Sequence, residues 1–249
     1  MVQFQNALVV GASSGIGEAM ARRLAADGSR VALVARRAGE LDRIVASINQ
    51  AAGEDRAFAF PHDVHDTAAV PELFQSITRE LGGLDLTVYA AGIQYRVAFE
   101  EYDTTKDLDM LAVNLDGAVA WLNPVAERFG RLKRGTIIGI GSVAGDRGRC
   151  ANPVYNTSKA GLHTYLEAVR NRIGRYGVRV LTVKPGFVDT PMTQGMSGLF
   201  WLVSPDKVAD VALKKARRGG PAVYVPARWR YVMWIIRSIP SFIFKHLKV

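Results

Sequence analysis

The chain has 249 residues, 49% hydrophobic and 22% charged, with a single cysteine, Cys150. That composition excludes a disordered chain and a disulfide-stapled scaffold, and the length suits one large domain with a substantial core. The formal charge of +9 is unevenly spread: the last acid is Asp210, and the excess lies beyond it in Lys214, Lys215, Arg217, Arg218, Arg228, Arg230, Arg237, Lys245 and Lys248. A neutral body therefore carries a cationic tail. No basic patch with nucleic-acid motif spacing occurs in the body, so no nucleic acid is expected as partner.

The first apolar run, Ala7–Val10, enters a glycine turn directly and lacks the pattern of a secretion signal. One thiol cannot form an intrachain bridge, and the expected location is cytoplasmic. Strands are predicted near Ala7–Val10, Val31–Ala35, Ala57–Phe60, Leu86–Ala90, Thr136–Ile140, Val178–Lys184 and Ala222–Val225. Helix-patterned stretches lie between them: Gly17–Asp27, Glu40–Ala51, Thr67–Leu81, Thr105–Phe129, Val154–Tyr176 and Pro205–Ala216. This alternation predicts an α/β fold, a doubly wound parallel sheet covered by helices on both faces. No linker or repeat divides it, so residues 1–226 read as one dinucleotide-binding and catalytic domain, with 227–249 as a basic-aromatic extension.

After the first strand comes Gly11-Ala-Ser13-Ser14-Gly15-Ile16-Gly17, opening a helix. Glycines so placed allow a sharp turn, a close approach of backbone N–H groups to a pyrophosphate, and tight packing of helix on strand. The adenosine ribose is normally read at the end of the second strand, where an acid marks NAD. Here that strand ends Val34-Ala35-Arg36-Arg37, without an acid. Arg36 and Arg37 suit a 2′-phosphate, and the expected cofactor is NADP(H); the other reading is a solvated strand end.

Further along stand Asp63-Val64, Ala90-Ala91-Gly92, Val113-Asn114-Leu115, Ser142, then Tyr155 and Lys159 one helical turn apart, and Pro185-Gly186 followed by Val188 and Thr190. Together with the glycine run these resemble the short-chain dehydrogenase/reductase family over residues 5 to about 226. The resemblance implies a Rossmann fold and an active-site tetrad of Asn114, Ser142, Tyr155 and Lys159. It also implies adenine contacts at Asp63 and Val64, a cofactor neighbour in Gly92, and a nicotinamide-contacting segment at Pro185, Gly186, Val188 and Thr190. One departure is Ala90, where the family usually carries Asn.

A tyrosine hydroxyl, with an ordinary pKa of about 10, must be shifted to act as a base near neutrality. Lys159 shares a helix face with Tyr155, and its ammonium with an oxidised nicotinamide favours the phenolate. Tyr155 can then exchange a proton with a carbonyl oxygen that Ser142 also holds. By resemblance, Lys159 holds the nicotinamide ribose and Asn114 orders a water leading to solvent. His62, His65, His163 and His246 lack acid or cysteine partners at ligand spacing, so no metal is expected. Tyr165 and Tyr176 read as core or interface aromatics.

On the substrate side, Met192, Met196, Leu199, Phe200 and Trp201 read as an apolar lid, or else as residues packed into the fold or a subunit contact. The loop after Ser142 offers Arg147 or Arg149 to a polar or anionic group. A bulky lipophilic carbonyl compound is the favoured small-molecule substrate, and the expected activity is NADP(H)-linked carbonyl reduction. An alcohol dehydrogenase working oxidatively and a weakly catalytic cofactor-binding sensor are the other readings. By resemblance a homodimer or homotetramer forms through the helices at Thr105–Phe129 and Val154–Tyr176. The tail's longest apolar run, Tyr231–Ile236, has six residues, against roughly 20 needed to span a bilayer. Two short helices broken at Pro240 are expected; residues 228–249 either attach peripherally to membrane, cover the cleft, or pack on a subunit.

Overall fold

The computed structural model describes residues 4–247. Seven strands form one parallel sheet: β1 (Asn6–Val10), β2 (Arg30–Ala35), β3 (Ala57–Pro61), β4 (Leu86–Tyr89), β5 (Thr136–Ile140), β6 (Arg179–Pro185) and β7 (Ala222–Val225). Their order across the sheet is β3-β2-β1-β4-β5-β6-β7. Nearly continuous apolar sequence in β1, β2, β4 and β5 follows from burial on both faces. Helices α1 (Gly15–Ala26), α2 (Ala38–Ala52) and α7 (Pro205–Arg218) cover one face. Helices α3 (Val70–Leu81), α5 (Gly117–Leu132) and α6 (Pro153–Ile173) cover the other. The strand order reverses between β1 and β4, and in such sheets the ligand crevice opens at the carboxyl ends beside that reversal.

The expected elements are present, with three informative differences. Helix α3 starts at Val70, with proline in its first turn, rather than at Thr67. The continuous helix expected over Thr105–Phe129 is instead α4 (Thr104–Leu111), a π-helical turn at Ala112–Asp116, and α5. Inside that turn the Val113 carbonyl accepts a 2.6 Å hydrogen bond from the fully buried Tyr89 hydroxyl. One extra residue re-aims the helix at Asn114, a common device at functional sites. Finally, the tail forms α8 (Trp229–Ser238) and α9 (Ser241–Phe244) on either side of Pro240, as expected, but α8 is built into the fold. Trp229 and Met233 are buried against Val143, Phe187 and Trp201.

Candidate active site

The glycine turn is required by close approach. At Gly11, with φ of 90°, a β-carbon would lie 2.3 Å from the Ala91 backbone nitrogen, and at Gly17 it would lie 2.0 Å from the Gly11 carbonyl oxygen. The turn therefore fits tightly between the end of β4 and the start of α1, leaving the N-terminus of α1 open to an anion. Thr190 comes up to the same place, its methyl 3.0 Å from where a Gly15 β-carbon would stand. Ala90 offers no polar side chain; its backbone N–H donates to the Val10 carbonyl at 2.8 Å, tying β4 to β1.

At the end of β2 the two arginines have different surroundings. Arg37 donates from Nη2 to the Ser13 carbonyl and hydroxyl oxygens, both at 3.0 Å, and so braces the glycine turn. Arg36 stays exposed, its guanidinium 3.8 Å from Asp63. Asp63 also accepts from His65, whose other ring nitrogen lies 2.6 Å from Asp109. His65 thus does have carboxylate partners, which raise its pKa, while Asp63 and Asp109 are held below the usual carboxylate range. Among the described residues no group of three or more His, Cys, Asp or Glu side chains could hold a metal ion. Val64 is buried beneath this cluster against the π-helical turn, facing Gly117.

The four tetrad positions come from three elements. Ser142 ends the segment after β5 and caps a short turn over Val143–Asp146, its hydroxyl accepting from Ala144 N–H at 3.1 Å. Tyr155 and Lys159 share the buried face of α6. That helix is capped by Asn152, which accepts from the Tyr155 N–H at 3.2 Å and donates to the Tyr95 carbonyl at 2.8 Å. Asn114 is fully buried; its oxygen accepts from Ile93 N–H at 2.8 Å, and its amide nitrogen donates to the Ile93 carbonyl and the Ser158 hydroxyl, both at 3.0 Å. It pins the loop after β4 to α6. A β-carbon on Gly92 would lie 3.2 Å from both Asn114 Oδ1 and Lys159 Nζ, so these three residues meet at one point.

Burial controls the electrostatics here. The Tyr155 phenol is raised above its ordinary value by desolvation, partly offset by Ser142 and by the Arg149 guanidinium. The protonated phenol is thus the form held at neutral pH. Lys159 is pushed down to about 8 by burial, and its ammonium donates to the Ile140 carbonyl at 3.2 Å. Desolvation of the phenolate outweighs the Ser142 hydrogen bond and the Arg149 charge, and the phenolate expected from the sequence is the form favoured with an oxidised nicotinamide beside Lys159.

Beneath Ser142 lies a buried network that sequence reasoning missed. Asp146, with a side chain 2% exposed, accepts from Lys184 Nζ at 2.5 Å and from the Tyr224 hydroxyl at 2.6 Å. His163 wedges in beside it, Nδ1 at 3.6 Å from the carboxylate and Nε2 accepting from Ser142 N–H at 3.4 Å. Burial and the Lys184 charge drive His163 down to about 3, so it is neutral. These four side chains come from four separate elements, and no local spacing signals them.

The segment expected as a substrate lid packs against the tail. At Gly186 a β-carbon would sit 1.9 Å from the Trp229 indole nitrogen, so only glycine lets α8 rest on the Pro185-Gly186 segment. Phe200 stacks near Trp229 at 5.3 Å and Trp201 meets it edge-on at 5.5 Å, joining the expected lid to the tail. From the opposite wall Arg96 donates to the Gln194 carbonyl at 2.5 Å. Arg147, one of two candidates for a substrate anion, is instead committed to the tail. It donates to the Ile236 and Ile239 carbonyls at 2.5 and 2.6 Å, and its guanidinium lies 3.7 Å above the Phe244 ring. Arg149 is the one that approaches Tyr155. Tyr165 bridges α6 to α5 through Asn123 at 2.8 Å, and Tyr176 is exposed.

Known proteins resemble this chain along most of its length. The family described as short chain dehydrogenase matches residues 5–198. An uncharacterized oxidoreductase of Mycobacterium tuberculosis is 32% identical over 240 residues, 96% of each chain. Another from Myxococcus xanthus is 35% identical over 192 residues, covering 77% of this chain and 75% of its own. Among solved structures, a short-chain dehydrogenase from Sphingobium yanoikuyae in complex with NADPH superposes with a TM-score of 0.81 at 25% identity, over 95% of this chain and 97% of that one.

Proposed function

The chain belongs to the short-chain dehydrogenase/reductase family, and from that premise we propose an NADP(H)-dependent reductase of bulky lipophilic ketones or aldehydes. It is an oxidoreductase acting with a nicotinamide cofactor on a small molecule; cofactor preference, direction and residue roles are the proposal. The observation that carries it is the buried Tyr155 beside Ser142, one helical turn from the buried Lys159 that meets Asn114 at Gly92.

The glycine turn and the open end of α1 fit a pyrophosphate, and Arg36 beside a strand end without an acid fits a 2′-phosphate. Asp63 and Val64 would flank the adenine, and Gly92, Pro185, Gly186, Val188 and Thr190 would line the nicotinamide end. When bound, the cofactor supplies the hydride that the carbonyl carbon accepts. Ser142 donates a hydrogen bond to the carbonyl oxygen, and Tyr155 gives that oxygen its proton. Lys159 holds positive charge beside the resulting phenolate and favours its formation. Asn114 keeps the loop and α6 in register, and its oxygen, accepting one bond among the described residues, has a lone pair left for a water toward Lys159. The apolar wall of Phe187, Phe200, Trp201 and Trp229 favours a lipophilic substrate. Pairing of two copies through α5 and α6 is part of the same proposal.

The test is Tyr155→Phe. Turnover should fall by at least the roughly 10²–10⁴-fold that a positioned acid contributes, while NADPH still binds by fluorescence titration. Turnover near that of the parent would refute the assignment.

A further inference from the structure

Helix α8 is apolar on two sides. At about 100° per residue, Trp229, Val232, Met233 and Ile236 fall together on the side packed against Val143, Phe187, Trp201 and Tyr224. Tyr231, Trp234 and Ile235 fall on the opposite side, 69%, 70% and 57% exposed, and α9 adds Phe242 at 71%. A helix facing only water carries polar residues there. Arg230 and Arg237 lie along the flank between the two sides, and Arg228 and Lys245 are exposed nearby. Among the described residues none of these four cations has a carboxylate within ion-pair distance, and no acid follows Asp210 in the sequence.

The occupant of this face must accept aromatic side chains and neutralise cations at once. A second copy of the same face would accept the aromatic side chains but bring like charges together, leaving the cations without counter-ions. We propose that the outward side of α8 and α9 seats the protein on an anionic lipid surface, holding the mouth of the catalytic cleft against it. Trp, Tyr and Phe suit the headgroup boundary, and Arg and Lys suit the lipid phosphates. No described helix is long and apolar enough to cross a membrane, so this segment lies on the surface.

The attachment is coupled to the site through packing. The inward side of α8 touches Val143, the residue after Ser142, and Trp229 rests on Gly186. Arg147, in the turn after Ser142, holds the carbonyls at the end of α8. Phe200 and Leu202 on the adjoining segment are 50% and 46% exposed, and Phe200 packs on Trp229 at the start of α8. A lipophilic carbonyl compound dissolved in the bilayer would thus reach the cleft without crossing water. The seating itself is independent of the proposed reaction.

The experiment is sedimentation of the full chain with vesicles of phosphatidylcholine alone, or with one quarter phosphatidylglycerol. Binding is expected on the anionic vesicles and little on the neutral ones. The pair Trp234→Ser/Phe242→Ser should abolish it, with an unchanged melting temperature because both side chains are exposed. The pair Arg230→Gln/Arg237→Gln should weaken it about thirty-fold, roughly 2 kcal/mol at about 1.4 kcal/mol per tenfold for two cations at an anionic surface. Equal binding by parent and variants, or equal binding to both vesicle types, overturns the proposal. So does a lipid-free dimer, seen by sedimentation velocity, that Trp234→Ser/Phe242→Ser breaks, since the face would then be a contact between copies.

Discussion

Asp146 sits at the end of the turn that Ser142 opens, and its carboxylate is surrounded by donors from β6 and β7. Asp146→Asn keeps the shape and removes the charge. Lys184, whose side chain is 14% exposed, is then a buried ammonium without its counter-ion. The new amide also turns an N–H₂ toward either Lys184 or the Tyr224 hydroxyl, both of which are donors here. Breaking a buried ion pair from one side typically costs about 3–5 kcal/mol. A loss near that range is expected in urea unfolding at pH 7.

Lys184→Met in the same chain separates this cause from a general packing defect. It removes the orphaned charge, so the double variant should recover much of the loss, with a coupling of at least ~2 kcal/mol in the double-mutant cycle. Activity adds a second reading. His163 links the carboxylate to the Ser142 backbone N–H, so loosening it misplaces the Ser142 hydroxyl. A drop in kcat of about tenfold or more with KM little changed is expected, since oxyanion donors act mainly in the transition state. Destabilisation below ~1 kcal/mol, or strictly additive single effects, would refute the idea that this pair supports the Ser142 turn.

Arg36→Ala should raise the KM for NADPH about tenfold to a hundredfold, the range of a charge-assisted contact, and leave NADH kinetics unchanged. Arg37→Ala should impair both cofactors alike, because Arg37 braces Ser13 in the glycine turn; the reverse pattern in initial-rate kinetics would exchange their roles. Lys159→Met should abolish turnover yet stabilise the fold by up to ~3 kcal/mol below pH 8, the linkage value of a lysine held at about 8 rather than 10.5. The sign follows from proton binding: between those two values the unfolded lysine is charged and the folded one neutral, so parent stability rises with pH and the gain from Met fades. Urea midpoints at pH 7 and pH 10 read this directly, and a variant less stable than the parent at pH 7 would contradict it.

The parts of the fold that could be read from the sequence are those where a short stretch of backbone carries its own constraint. Gly11 and Gly17 are legible because each admits no β-carbon, and the strands because burial on both faces demands unbroken apolar runs. Asn114 was legible only as a position. The apolar pattern runs on through Thr105–Phe129 as for one helix, while the π-helical turn is met by the Tyr89 hydroxyl, 24 residues before the Val113 carbonyl to which it donates. Likewise nothing local distinguishes Arg147 from Arg149. They differ because Arg147 meets carbonyls released at the end of α8, 89 and 92 residues on. His65, read as lacking acid partners at metal-ligand spacing, finds one carboxylate in Asp109, 44 residues away.

The cationic tail shows the same boundary from the other side. Charge and aromatic content are additive properties, so the sequence carries them faithfully, and they single out residues 228–249 as a basic-aromatic extension. Which apolar side chains face inward is a property of rotation, and α8 has enough of them for either orientation. Trp229 decides it. The Trp229 indole occupies the place that a β-carbon at Gly186 would take, and once Trp229 is seated there, the rotation of one rigid helix forces Met233 inward and Trp234 out. The exposed aromatic face is therefore a consequence of how Trp229 is seated on Gly186, and the same helix that would rest on the proposed lipid surface packs against Val143, next to the proposed catalytic Ser142.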